Sequence, residues 1–187
     1  MNTPLEHELA AALSDCVVID CETTGLDPSC DQIIEFAALS VVDGRPAGLY
    51  HSLVSPGRPL DRDISELTGI DDETLSDTPT FAQIADDIAS VVGGRLVVGH
   101  NVSFDIAFVD AEFRRQERES VLDARRSVCT AASARELLPR SMVGRYKLAT
   151  LADVLELEHR PSHRAVDDVL ATVDLLSRLY AVAAGGD

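Results

Sequence analysis

Three apolar segments rich in β-branched residues lie within the first 54 residues of the chain. They are residues 16–20 (CVVID), 32–42 (QIIEFAALSVV) and 49–54 (LYHSLV). Asp43-Gly44, between the second and third segments, is a dipeptide that favours a tight hairpin turn. Three consecutive strands of this kind predict an antiparallel meander.

Helical periodicity dominates after Pro79. Apolar residues recur at helical spacing over residues 79–92, and Thr80 with Gln83 predicts a capping box. The elements predicted after this helix are a strand at 95–98, a helix at 102–118, a strand and a helix within 127–138, and helices at 148–157 and after Pro161. A meander followed by alternating strands and helices predicts an α/β domain with a mixed sheet covered by helices.

The length of 187 residues suits one domain, residues 1–187, with a core at about 16–180. No apolar run approaches the ~20 residues that cross a bilayer, and the acidic first residues lack the features of a signal peptide. We therefore expect a cytoplasmic protein with no membrane partner. The four cysteines form no CxxC pair, which favours free thiols.

The formal net charge is −16, from 32 acidic and 16 basic residues. This charge argues against a protein that holds nucleic acid through a wide basic surface, because such binding depends on Lys and Arg neutralising phosphates. Arg140, Arg145 and Lys147 form one local basic stretch. A small basic rim and an ordinary solvated loop remain equal alternatives for it.

Asp20 and Glu22 stand two residues apart at the end of the first predicted strand, so their side chains point to the same face of the sheet. Like charges about 4 Å apart repel by roughly 4 kcal/mol at an effective dielectric near 20, so the pair favours a cation, a proton or solvent. Carboxylate oxygens suit magnesium or manganese. The alternative is a solvated loop.

Two later segments carry residues of the same chemistry. Asp105 lies where a strand gives way to a helix, and it either joins the acidic pair or stabilises the helix N terminus. His163 and Asp168 are five residues apart, which is about 140° around a helix axis. We therefore place His163 in the loop after Pro161, where it can take a proton from water; an ordinary surface histidine is the alternative.

Several carboxylates and a base are what a phosphodiester hydrolase with two ions roughly 3.5–4 Å apart requires. In their order, the segments DCETTGL (20–26) and HNVSFD (100–105) and the pair His163 and Asp168 resemble the DEDDh-type 3′-5′ exonucleases of the DnaQ-like family. Within that family they are similar to the proofreading epsilon subunits of bacterial DNA polymerase III. Residues 33–35, 67–70 and 147–151 resemble its intervening stretches.

The resemblance implies a ribonuclease H-like fold with a five-stranded mixed sheet flanked by helices. It implies four metal ligands, Asp20, Glu22, Asp105 and Asp168, with His163 as the general base. Geometry alone leaves Asp167 as an alternative to Asp168, and the family spacing selects Asp168. The implied cofactor is a pair of Mg²⁺ or Mn²⁺ ions.

The resemblance also implies a set of substrate-binding residues that meet the terminal nucleotide. They are Thr23, Thr24, Gly25, Leu26, His100, Asn101 and Phe104. The Leu26 side chain is expected to contact a base, and the main-chain amides beside it are expected to lie near the 3′ end. For Phe104 a place in the core is the alternative, and for Asn101 a helix cap.

The implied activity is 3′-5′ hydrolysis of single-stranded or frayed DNA ends to nucleoside 5′-monophosphates. The expected partner is therefore a nucleic acid 3′ end, with DNA favoured over RNA. An RNA-directed exonuclease of the same superfamily and an inactive nuclease-fold binding module are the alternatives; the latter would lack a ligand or the base, and none is missing.

A polymerase or repair protein is a further candidate partner, and the oligomeric state is open. The epsilon subunit carries a segment beyond this domain that joins the polymerase, whereas this chain ends just after its last predicted helix. We therefore expect a stand-alone nuclease or one with a differently placed partner surface.

Overall fold

The centre of the molecule is a five-stranded sheet in the spatial order β3-β2-β1-β4-β5. The computed structural model describes residues 3–185, so residues 1–2 and 186–187 of the predicted domain lie outside the described residues. The strands are β1 (Asp15–Thr23), β2 (Ile33–Val42), β3 (Arg45–Leu53), β4 (Val97–Gly99) and β5 (Ser127–Cys129). The first three are antiparallel, whereas β4 and β5 run parallel to β1. The predicted meander and mixed sheet are confirmed.

Helices cover both faces of this sheet. They are α1 (Pro4–Ser14), α2 (Arg62–Thr68), α3 (Asp72–Leu75), α4 (Phe81–Val92), α5 (Ser103–Arg115), α6 (Thr130–Leu137), α7 (Arg140–Val143), α8 (Leu148–Val154) and α9 (Ala165–Ala183). Alternate residues of β1 serve the two faces: Cys16 and Val18 pack with α1 and α9, and Val17 and Ile19 pack with α4 and α5. No helix within residues 3–185 has the length and apolar character needed to cross a bilayer.

The structure contains four helices that the periodicity did not predict, α1, α2, α3 and α7. For α1 a signal was present, because Pro4 occupies the first helical turn and the Thr3 side chain accepts a hydrogen bond from the Glu6 N–H at 3.1 Å. The other three have four to seven residues, too few for a helical period to be recognised.

β3 begins earlier than predicted, at Arg45 instead of residue 49. Asp43 and Gly44 both have positive φ, 50° and 72°, the geometry of a two-residue hairpin turn, so pairing with β2 starts directly after the turn. β1 also continues to Thr23, since Asp20 and Glu22 still pair with Ala37 and Glu35 of β2. The two acidic residues therefore lie within regular strand.

The parallel pairing of β1 with β4 determines where functional residues can meet. Val17 pairs with Val97 and Val18 with Val98, so the segments that follow the two strands leave the sheet at the same edge. α5 begins at this edge, and α9 crosses the face formed by β1 and β2. Residues from four distant parts of the chain can therefore converge there.

Truncation of the α9 core tests this packing. Leu176 is fully buried between α9 and the sheet, so Leu176→Ala is expected to lower the free energy of unfolding by about 3 kcal/mol. Urea unfolding followed by circular dichroism measures the loss. Leu67→Ala is the matched control, since Leu67 is exposed on α2 and its truncation should change stability little. Equal losses in the two variants would contradict this packing.

Candidate active site

Five predicted residues meet at the edge of the sheet where β1 and β4 end. One ligand atom each of Glu22, His163 and Asp168 lie within 4.8 Å of one another. Asp105 lies close enough to add to the rise that burial causes in the pKa values of Asp20 and Glu22, and the Asp168 and Glu22 carboxylates act on Asp20 in the same way. The structure therefore places the four acids and the histidine in one cluster.

Asp105 reaches the cluster from the first turn of α5. It is 3% exposed, and its Oδ1 accepts a hydrogen bond from the backbone N–H of Cys21 at 3.0 Å. This bond ties α5 to β1 between the two strand carboxylates. Asp105 is thus held across the sheet edge in addition to lying at a helix N terminus.

Asp168 and His163 come from the start of α9. His163 precedes the helix and has φ of 59°, so the prediction that it lies outside the helix is confirmed. Asp168 Oδ1 accepts the Ser162 N–H at 2.9 Å, which folds the loop back over the helix N terminus. Asp167 binds the Ser162 hydroxyl at 2.5 Å instead, and Asp168 is the acid that lies beside Glu22.

Burial and mutual repulsion make these acids weak. Burial raises the pKa of Asp20 well above its usual range, with the Asp105 and Asp168 carboxylates adding to the effect. Burial likewise raises the pKa of Glu22 to about 8 and that of Asp105 to about 7, and it raises the pKa of Asp168. Four crowded carboxylates are the all-oxygen donor set that suits a hard divalent cation such as Mg²⁺ or Mn²⁺. The residues present therefore fit the predicted cofactor.

Glu35 lies within residues 33–35, which resemble the family, but no role in the site was assigned to it from the sequence. It lies on β2 directly opposite Glu22, is fully buried, and accepts hydrogen bonds from the Arg164 guanidinium at 2.9–3.2 Å. It also accepts the Ala165 N–H at 3.0 Å and bonds with His51 at 2.8 Å. Burial opposes its ionisation, yet these bonds lower its pKa below the usual value.

Glu35 and Arg164 together attach the start of α9 to the sheet. Arg164 follows His163 directly, so this ion pair positions the loop that carries His163 and the turn that carries Asp168. The signal in the sequence was a charged residue within the otherwise apolar segment 32–42, because a buried charge requires a partner.

A cleft of about 660 Å³ opens beside the acidic cluster. The predicted residues that line it are Asp20, Leu26, His100, Asn101, Phe104, His163 and Asp168. Leu26 is 84% exposed, so its side chain is free to meet a ligand. Phe104 is half-buried and packs on Phe108 with ring centroids 4.7 Å apart. Asn101 does not cap α5, since Val102 occupies that position.

Thr23, Thr24 and Gly25 support the loop after β1. Thr23 donates its hydroxyl to the Gly25 carbonyl at 2.6 Å, and the Thr24 hydroxyl bonds with Asp31 and Arg58 at 3.1 and 2.7 Å. A Cβ on Gly25 would lie 2.3 Å from Asp31 Oδ2, so a larger residue would displace the Asp31 carboxylate that bonds with Thr24. The loop is therefore shaped to present Leu26 at the cleft.

His100 has both ring nitrogens engaged within the protein. Burial lowers its pKa, and in the neutral ring Nε2–H donates to the Tyr146 carbonyl at 2.9 Å. Nδ1 then accepts the Thr130 hydroxyl at 3.0 Å. His100 thus joins the end of β4 to the wall of the cleft formed by Tyr146.

Loss of the Glu35 carboxylate should destabilise the protein. Removing one partner of a buried ion pair costs roughly 3–5 kcal/mol, and we expect about 2 kcal/mol for Glu35→Gln because Arg164 remains 39% exposed. Urea unfolding measures the change. Glu66→Gln breaks the exposed Arg62–Glu66 pair and should have little effect. Similar losses in the two variants would refute the attachment role of Glu35.

The raised pKa of Glu22 predicts an unusual dependence of stability on pH. Between its ordinary value of 4.5 and about 8, folded Glu22 retains a proton that the unfolded chain releases. The contribution of protonated Glu22 to the stability of the folded state is fully present below pH 4.5 and is lost as the pH rises toward 8. In EDTA the Tm should therefore fall over this range. Glu22→Gln should reduce the slope.

Added Mg²⁺ should counteract this loss. The carboxylates must be deprotonated to bind a cation. The rise in Tm on adding roughly 5–10 mM Mg²⁺ should therefore be larger at pH 8 than at pH 5.5. Differential scanning calorimetry at the two pH values measures it. An equal rise at both would show that these acids do not bind the cation.

The chain is similar to known proteins over most of its length. The RNase_T family model, described as exonuclease, matches residues 17–176. The PolC-type DNA polymerase III of Oceanobacillus iheyensis is 36% identical over 163 residues, which cover 87% of this chain and 11% of that protein. A putative bifunctional exonuclease/endonuclease of Mycobacterium tuberculosis is 33% identical over 184 residues, covering 95% of this chain and 28% of that protein.

Among solved structures, exonuclease X in complex with 5′ overhanging duplex DNA has a TM-score of 0.69 and 26% identity, covering 88% of this chain and 90% of that one. The chain spans only about a tenth of the length of the PolC-type relatives. The predicted ribonuclease H-like fold and the resemblance to exonucleases are confirmed. This chain belongs to the RNase_T exonuclease family and is a nuclease.

Proposed function

We propose that this chain is a 3′-5′ exonuclease that removes nucleotides from single-stranded or frayed DNA ends and releases nucleoside 5′-monophosphates. The observation that carries the proposal is the meeting of Glu22, His163 and Asp168 within 4.8 Å beside an open cleft. Asp20 and Asp105 complete the acidic set. A set of four acids and one base matches the needs of phosphodiester hydrolysis by a two-metal mechanism.

The four acids would hold the two divalent ions, and Asp20, Glu22 and Asp168 would together bind one of them. Ions held there supply the Lewis acidity that activates water and neutralises charge developing on the phosphate. A ring nitrogen of His163 takes the proton from the attacking water. As the water oxygen bonds to phosphorus, the bond to the 3′ oxygen of the preceding nucleotide breaks. That oxygen takes a proton from solvent and becomes a 3′ hydroxyl, and the terminal nucleotide leaves as its 5′-monophosphate.

The cleft suits the end of a strand. Leu26 offers an exposed apolar side chain to the terminal base, and Phe104 lines the cleft beside Asn101. Binding at an end requires only local contacts, which suits a chain with net charge −16. DNA is the proposed substrate, since exonuclease X is in complex with DNA.

A polymerase is the proposed protein partner. The matched region in the relatives forms 11–12% of PolC-type DNA polymerase III proteins. A nuclease of this kind beside a polymerase would remove misincorporated nucleotides from a frayed 3′ end.

The decisive experiment is a time course on matched single strands of DNA and RNA carrying a 3′ or a 5′ label, with Mg²⁺ or Mn²⁺. We expect the 3′ label to be released at once as mononucleotide, whereas the 5′-labelled strand shortens as a ladder. Asp168→Ala should abolish both signals. Loss of the 5′ label first would overturn the polarity, and faster RNA hydrolysis would assign the chain to RNA.

The role of His163 gives a separate prediction. Loss of a general base lowers kcat by about 10²–10⁴-fold, so His163→Ala should show a loss of this size with little change in KM. Steady-state release of the 3′ label measures both constants. His7→Ala is the control, because His7 is exposed on α1 and should leave kcat unchanged. Full activity of His163→Ala would remove the histidine from the mechanism.

A further inference from the structure

The basic residues of this chain are unequally engaged. Within residues 3–185, the arginines that form ion pairs with carboxylates include Arg58, Arg62, Arg95, Arg115, Arg118, Arg125, Arg160 and Arg164. In contrast, Arg135, Arg140, Arg145 and Lys147 form no ion pair with any residue of the described range 3–185. These four cations occupy one segment, residues 135–147, in which Glu136 is the single acid. The segment is therefore locally positive within a strongly acidic chain.

The four side chains surround one depression of about 590 Å³. We call it the basic groove, defined by Arg135, Arg140, Arg145 and Lys147. Gly144, with φ of 66°, turns the chain after α7 so that Arg140 and Arg145 line the same depression. An open depression lined by unpaired cations fits phosphate groups of an extended strand.

Tyr146 gives the basic groove a rigid wall. Its ring lies 5.7 Å from the Arg135 guanidinium carbon, and its hydroxyl donates to the Leu138 carbonyl at 2.8 Å. Its own carbonyl accepts the bond from His100 described above. The groove is therefore attached to the end of β4, next to the segment that leads to Asp105.

The basic groove is continuous with the catalytic cleft. Arg135, Tyr146 and Lys147 line both, and the cleft also contains His163 and Asp168. A strand whose 3′ end lies at the acidic cluster can thus extend into the groove without leaving the surface. Arg140 and Arg145 line only the groove, at the end away from the cluster.

We propose that the basic groove binds the phosphate backbone of the nucleotides immediately 5′ to the one being removed. This inference rests on the proposed exonuclease function. It adds that efficient hydrolysis requires a single strand long enough to reach the groove. The groove places four cations that form no ion pair within the described part of the chain side by side next to the catalytic cleft, which accounts for how a chain of net charge −16 holds a polyanion.

The test uses the double variant Arg140→Ser/Arg145→Ser. The ratio of kcat/KM for a single-stranded 12-mer to that for a dinucleotide should fall about tenfold, because the dinucleotide reaches little of the groove. Arg62→Ser/Arg125→Ser is the matched control: it removes the same charge from two exposed ion pairs elsewhere and should leave the ratio unchanged. An unchanged ratio in the groove variant, or an equal fall in the control, would overturn the proposal.

Binding is measured separately, so that the groove is tested even if the chain releases no nucleotide. In the Asp168→Ala background, fluorescence anisotropy of a labelled 12-mer gives Kd as a function of salt. Each lost phosphate contact lowers the salt slope of log K by about 0.7, so the groove variant should lose about 1.4. An unchanged slope would refute the groove even if the wild type is an active exonuclease, whereas absence of 3′ release with the expected slope would refute the activity alone.

Lys147 provides a footprint, because it is the single lysine of the chain. Its exposed amine should be acetylated by an N-hydroxysuccinimide ester, and a bound 12-mer should protect it several-fold in the mass spectrum of the tryptic peptides. The N-terminal amine serves as the internal reference. Equal acetylation of Lys147 with and without the 12-mer would contradict binding of the phosphate backbone in the basic groove. Protection of Lys147 by an acidic peptide but not by the 12-mer would also contradict it.

Discussion

The ion pair between Glu35 and Arg164 is the interaction on which the candidate active site depends. Glu35 and Glu22 are direct neighbours across β1 and β2, and like charges in that position repel. Arg164 offsets the charge of Glu35 and also limits the rise that burial causes in the pKa of Glu22. Since the same carboxylate binds the Ala165 N–H, the start of α9 is held against the sheet at the place where Asp168 must meet Glu22.

The acids left without such a partner form the proposed metal site. Asp20, Glu22, Asp105 and Asp168 all have raised pKa values because burial and mutual repulsion oppose their charged forms. Such a cluster is costly for the isolated chain and favourable once a cation binds. The neighbouring Glu35 carboxylate has a lowered pKa because Arg164, the Ala165 N–H and His51 bond to it, so the two environments on this sheet face differ in charge.

Charge is also divided over the surface. Most arginines are neutralised locally by acids, as in the pairs Arg118–Asp86 and Arg160–Asp153. The four cations of the basic groove form no ion pair within residues 3–185, and the groove lies beside the cleft. A net charge of −16 therefore argues against a broad nucleic-acid surface, as the sequence suggested, without excluding a narrow one next to the active site.

The sequence by itself determined the sheet, its main helices and the identity of the five clustered residues, because strand and helix periods are local and the motifs are short. It also placed His163 before the last helix. Two helical residues that are five apart point about 140° away from each other, so His163 and Asp168 could not share a helix face. Only the tertiary structure decided the rest. The partners of Glu35 lie 16 and 129 residues away, and the bond from Cys21 to Asp105 spans 84 residues. Such pairings follow from strand register and helix packing, which no local pattern encodes.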